Sequence, residues 1–209
     1  RLAQRAGCPT PGVYVTPDLQ ANAFACGRNP KHAAIAVTQG IQDQLTLREL
    51  EGVVAHEMAH IRNRDILIAS VAAMAAGAIA AIANWLQFSL IFGGGDDEEN
   101  PLGMVGSLLV MMIAPIGAML LQLAISRQRE YLADAMSAQF TRNPLALASA
   151  LQKIEGANEP TTSIKGGVAH LCIADPLGRR VTNLEGLTGD LLATHPPMSL
   201  RIARLKAMG

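Results

Sequence analysis

The sequence predicts an α+β fold, mainly helical with a small β-sheet, interrupted by a transmembrane helical hairpin. Three observations carry this prediction. Two long stretches contain no charged residue, short β-compatible runs crowd the region before Gly40, and helices with recognisable start and stop signals account for most of the rest.

Half of the residues are hydrophobic and 16% are charged, against the roughly 25% charged of an ordinary soluble domain. Seventeen Lys plus Arg balance seventeen Asp plus Glu, so no basic face exists for a nucleic acid, and a nucleic-acid partner is not expected. The apolar content is too high for intrinsic disorder. Cys8, Cys26 and Cys172 are odd in number and widely spaced, which fits neither a disulfide framework nor a CxxC metal site. That points to a reducing compartment.

Gly12 to Thr16, Asn22 to Cys26 and Ala34 to Thr38 read as strands, separated by Pro17, Gly27 and Pro30. Thr46-Leu47-Arg48-Glu49 matches a capping box, in which threonine and glutamate each satisfy a free backbone N–H of the first turn. A helix is therefore expected from about Leu47 to Arg64. From Ile66 to Phe92, and again from Leu102 to Ser126, no Asp, Glu, Lys or Arg occurs. Each run exceeds the roughly 20 residues that a helix needs to cross a bilayer. The polar stretch from Gly93 to Pro101 joins them, and Ala73, Gly77 and Ala81 offer a small-residue face for close helix packing. Arg62 and Arg64 precede the first arm, and Arg127 and Arg129 follow the second, so both flanks are expected on the cytoplasmic side. Helices are expected over Arg127 to Thr141, Leu145 to Glu155 and Ser199 to Met208, the last opened by Pro196-Pro197, with an irregular stretch from Gly156 to Gly189. The organisation is thus a domain in two pieces, 1–65 and 127–209, around a hairpin at 66–126. A start at Arg1, with no initiator Met or signal peptide, suggests a segment of a longer chain.

His56-Glu57-Met58-Ala59-His60 lies on the capped helix. Residues four apart share a helical face, so both imidazoles are able to grip one Zn2+ while Glu57 lies beside them to activate a water. The apolar residues ahead of it, Leu50, Val53, Val54 and Ala55, embed the motif in a packed helix rather than on an open surface. A catalytic zinc takes three protein ligands and keeps one position open. Glu130 is the candidate third ligand. Asp134, again four residues on, is placed to accept the outer N–H of a ligand histidine. Without the HExxH, the two carboxylates would read as an exposed pair answered by Arg127 and Arg129.

HEMAH, SRQREYLAD after the hairpin, NAFACG before it and THPPMSLRIARL at the end resemble, in that order, the HtpX membrane metalloproteases and their relatives the CAAX prenyl proteases. The four segments span Asn22 to Leu205. The resemblance implies a gluzincin-type zinc endopeptidase of the bacterial inner membrane, multi-pass, facing the cytoplasm, with membrane segments ahead of Arg1 that are absent here. It implies one zinc per chain on His56, His60 and Glu130, with Glu57 as general base. It implies polypeptide substrates, namely misfolded or damaged membrane proteins in envelope-stress quality control, and the lipid bilayer as partner; it is silent on oligomeric state. Asn22 and Ala23 resemble the edge strand that receives substrate, although an asparagine before a strand is equally a turn residue. His195 corresponds to a segment that approaches the metal, as oxyanion support or as a removable ligand, and Arg201 to a group that orients Glu130 or Asp134. From the residues alone, both would read as solvent-facing at a helix start. A CAAX-type prenyl protease and a zinc-binding, chaperone-like adaptor without turnover are the alternatives; the presence of Glu57 speaks against the adaptor, and the two-arm hairpin favours the HtpX branch.

Overall fold

A computed structural model of the chain describes residues 1–92, 117, 125–156, 173 and 196–209. Residues 1–67 and 126–209 form one compact unit and residues 68–125 a second. Among the described residues the order is α1 (Leu2–Ala6), β1 (Gly12–Thr16), β2 (Ala23–Asn29), β3 (His32–Thr38), α2 (Gln39–Gln44), α3 (Leu47–Asn63), α4 (Asp65–Phe92), α5 (125–141), α6 (Pro144–Gly156) and α7 (Met198–Lys206).

The sheet has the order β1-β3-β2. β3 lies in the middle, parallel to β1 with Gly12 opposite Ala34, and antiparallel to β2 with Ala23 opposite Val37. The β2–β3 connection is a tight turn in which Asn29 Oδ1 accepts from the backbone N–H groups of Lys31 and His32. β2 runs three residues beyond the expected Cys26 because Gly27, at φ 135°, absorbs an irregularity in the ladder. A Cβ there would lie 2.2 Å from the His32 carbonyl oxygen, so only glycine fits.

The first turn of α3 forms the expected capping box. Thr46 Oγ1 accepts from the Glu49 N–H, and Glu49 Oε2 accepts from the Thr46 N–H at 2.8 Å. Glu49 does more than cap: Ser149 Oγ and Lys153 Nζ of α6 donate to it at 2.6 and 2.7 Å. One buried carboxylate thereby joins two helices. α3 is central, with Val53, Ala55, His56, Glu57 and Ala59 all at or near zero exposure. Leu147, Leu151 and Ile154 of α6, Ile35 of β3 and Leu205 of α7 complete the core around it. α5 turns the face Glu130, Ala133, Asp134 and Ser137 inward, all four buried, and Ser137 Oγ donates to the Gly52 carbonyl of α3 at 2.7 Å.

α3 ends at Asn63, one residue short of the expected Arg64, which adopts the left-handed conformation as its C-cap. α4 then runs unbroken through 28 residues, covering the first arm of the expected hairpin. The polar turn 93–101 and nearly all of the second arm fall outside the described residues, as do the irregular stretch after Gly156, apart from Ile173, and His195. Counting only the described side chains, no helix is long and apolar enough to cross a membrane. The hairpin therefore remains an expectation.

Candidate metal centre

α3 presents His56 and His60 on one face, and α5 presents Glu130 opposite them. The two Nε2 atoms are 3.1 Å apart; Glu130 Oε2 is 3.6 Å from that of His56, and Oε1 is 3.5 Å from that of His60. For a tetrahedral zinc with metal–ligand distances of about 2.0 to 2.1 Å, adjacent donors are separated by about 3.3 to 3.4 Å. Each imidazole nitrogen thus has a Glu130 oxygen at close to that separation, and one donor atom from each residue lies within 4.8 Å of the others. Among the described residues these three are the group of His, Cys, Asp and Glu side chains able to hold a metal ion.

The outer nitrogens of both rings meet carboxylates. His60 Nδ1 lies 2.6 Å from Asp65 Oδ2. His56 Nδ1 lies 2.9 Å from Asp134 Oδ1, close enough to pair electrostatically though not aligned as an ideal hydrogen bond. A carboxylate favours a protonated Nδ1, which leaves each Nε2 lone pair directed at the common point. Burial disfavours a charged His56, yet Asp134 and Glu130 outweigh it and lift its pKa to about 9.

Arg201 reaches the cluster from α7 and is wholly buried. Its Nε and Nη2 donate to the two oxygens of Asp134 at 2.9 and 2.7 Å, the bidentate fork of a strong ion pair. Burial alone would raise the Asp134 pKa, but Arg201 and His56 hold it down to about 2. Nη1 lies 3.4 Å from Glu130 Oε2. The guanidinium therefore faces both carboxylates that the sequence reading assigned to it.

Glu57 lies next to His56 on α3 and is 1% exposed. Its Oε2 has no hydrogen-bond partner among the described residues, although an unmet buried acceptor costs about 1 to 3 kcal/mol. Burial pushes its carboxyl above the ordinary range, against the pull of the two histidines. A buried carboxylate with one unpartnered oxygen, next to converging donors, suits a group whose partner is a reacting water. His56, Glu57, His60, Glu130, Asp134 and Arg201 are thus assembled in one place; His195 lies outside the described residues.

Asn22 is wholly buried, and its Oδ1 accepts from the Ala23 N–H at 2.9 Å. The Ala23 carbonyl, which faces away from β3, accepts from Ile173 N–H at 3.0 Å. Among the described residues Ala23 lies on an edge strand, but both of its outward main-chain groups are engaged. Sequence reasoning missed Asp65. It stands five residues after His60, a spacing with no helical signature, and only the break at Arg64 turns it back.

A family model described as Peptidase family M48 matches residues 1–209. A "Protease HtpX homolog" from Persephonella marina is 48% identical over 99% of this chain and 72% of that protein. Proteins of the same description from Syntrophobacter fumaroxidans and Thermococcus kodakarensis are 47% and 49% identical, over 99% and 98% of this chain and 73% and 70% of theirs. Among solved structures, the crystal structure of S. mikatae Ste24p aligns with a TM-score of 0.63 at 19% identity, covering 98% of this chain and 48% of that one. This last likeness concerns the fold.

Proposed function

The chain belongs to peptidase family M48 and is a metalloprotease, and from that premise we propose that it cleaves polypeptides with one zinc held by His56, His60 and Glu130 and with Glu57 as the general base. The observation that carries this reading is the pair of imidazole nitrogens 3.1 Å apart, each facing a Glu130 oxygen at 3.5 to 3.6 Å, with the unpartnered Glu57 Oε2 beside them. When bound, zinc supplies an acidified water and polarises the scissile carbonyl. Glu57 takes the water's proton and returns it to the leaving amine, a role that its raised carboxyl pKa supports. Asp134, held by Arg201, keeps His56 in place. His195 is proposed as a donor to the developing oxyanion.

Substrate is proposed to add as a strand along β2, where main-chain bonds give affinity with little sequence demand. Ala23 is already engaged on its outer side, so substrate contact is proposed at positions of β2 beyond Ala23. The proposed location is the bacterial cytoplasmic membrane with the centre on the cytoplasmic side. Support comes from α4, where Leu67, Ile68, Val71, Met74, Ile82, Trp85 and Phe88 are exposed, Met74 at 74%. An apolar surface of this extent is not left to water. Misfolded membrane proteins and their cytoplasmic loops are the proposed substrates, as part of envelope quality control.

The test is Glu57→Gln, assayed on reduced casein with the detergent-purified protein. Zinc content is expected to stay at the wild-type level while turnover falls by about 100-fold or more. Undiminished cleavage by a zinc-loaded Glu57→Gln protein would remove the assignment.

A further inference from the structure

Each histidine of the centre meets a carboxylate on its outer nitrogen, and the two carboxylates come from unlike places. Asp134 lies one turn beyond Glu130 on α5 and is gripped by Arg201. Asp65 opens α4, just past the C-terminal end of α3, and its Oδ2 lies 2.6 Å from His60 Nδ1, the shorter of the two contacts. In a continuous helix, residues five apart diverge around the axis. Here the helix is not continuous. Arg64, at φ 55° and ψ 39°, ends α3 in the left-handed conformation, and α4 starts at once with Asp65. The elbow returns the Asp65 side chain to the ring of His60.

The surroundings of Asp65 fix it there. The residue is 7% exposed, and Arg129 Nη1 of α5 donates to its backbone carbonyl at 2.7 Å. An acidic residue in the first turn of a helix ordinarily serves the positive end of that helix. The contact of its side chain is instead with an imidazole whose other nitrogen points at His56 and Glu130.

We propose that Asp65 is a positioning residue of the metal centre, which holds His60 in the tautomer and orientation that present Nε2 to the cation, while Arg129 holds Asp65. The inference rests on the zinc reading of His56, His60 and Glu130. Without the carboxylate, the ring is free to rotate and to place its proton on Nε2, and its basicity as a ligand falls. The pairing also ties a ligand to the residue that opens the apolar helix α4.

The experiment measures zinc affinity by chelator competition on the full, detergent-purified chain, for wild type, Asp65→Ala and Asp65→Asn. The melting point of each protein in excess chelator and the absorption spectrum of each cobalt(II)-loaded protein are measured in parallel. Zinc affinity is expected to fall by about 10- to 100-fold in Asp65→Ala, with an altered cobalt spectrum. Asp65→Asn keeps the shape and an acceptor oxygen, so it is expected to melt like wild type in chelator while still binding zinc more weakly. If Asp65→Ala does not fold, Asp65→Asn decides. Wild-type zinc affinity and cobalt spectrum in a folded Asp65→Asn or Asp65→Ala protein overturn the role of Asp65 and leave the three-ligand site standing. A wild-type protein that takes up no zinc overturns the metal reading itself, and this inference with it.

Discussion

Removing Arg201 tests how the centre is held together. The guanidinium has no exposure to solvent and forms a bidentate pair with Asp134, itself 2% exposed. Taking away one partner of such a pair leaves an uncompensated buried charge, which costs about 3 to 5 kcal/mol. Arg201→Leu leaves Asp134 with His56 as its remaining cationic neighbour. At about 2 to 4 °C per kcal/mol for a chain of this size, the melting point is expected to fall by about 6 to 20 °C. Asp134→Leu strands the arginine instead and is expected to cost a similar amount. The double variant removes both charges, so its loss is expected to be smaller than the sum of the two by about 2 kcal/mol or more. Thermal unfolding in excess chelator, at one scan rate, excludes metal binding from the comparison. Additive losses, or an Arg201→Leu protein within about 0.5 kcal/mol of wild type, would refute the argument that this pair anchors the cluster.

The Glu49 carboxyl is disfavoured by burial, but Lys153, Ser149 and Thr46 outweigh this and bring its pKa from 4.5 to about 2. Its folded pKa is depressed, so its stabilisation is complete above the unfolded value and drains as pH falls from about 4.5 toward 2. Acid titrations of unfolding should show wild type losing more stability over that window than Glu49→Gln. Gly52→Ala places a Cβ 3.1 to 3.2 Å from backbone atoms of Leu147. Crowding is expected to cost about 1 to 3 kcal/mol and to exceed the gain of about 1 kcal/mol in helix propensity; a raised melting point would show that α6 yields freely.

Local and periodic features were legible in the sequence. The capping box involves residues three apart, and the helix it opens begins at Leu47 as expected. His56 with His60, and Glu130 with Asp134, are pairs of residues four apart, so one rule of helical geometry gave both halves of the centre. What escaped depends on breaks and on distant contacts. Asp65 reaches its ring only through the left-handed turn at Arg64, a conformation that an arginine does not advertise. α2 escaped because no Gly or Pro separates it from β3; Thr38 ends the strand and caps the helix with one side chain, its Oγ1 accepting from Ile41 N–H. The engagement of Ala23 joins it to Ile173, far along the chain, and no pattern of spacing encodes such a contact.

The central claim is that His56, His60 and Glu130 hold one zinc. Elemental analysis of the detergent-purified wild type beside Glu130→Ala tests it most directly. The account predicts about one zinc per chain in wild type, lost or sharply reduced in Glu130→Ala. Full zinc content in a folded Glu130→Ala protein would contradict it, because these three residues would then not be the metal site.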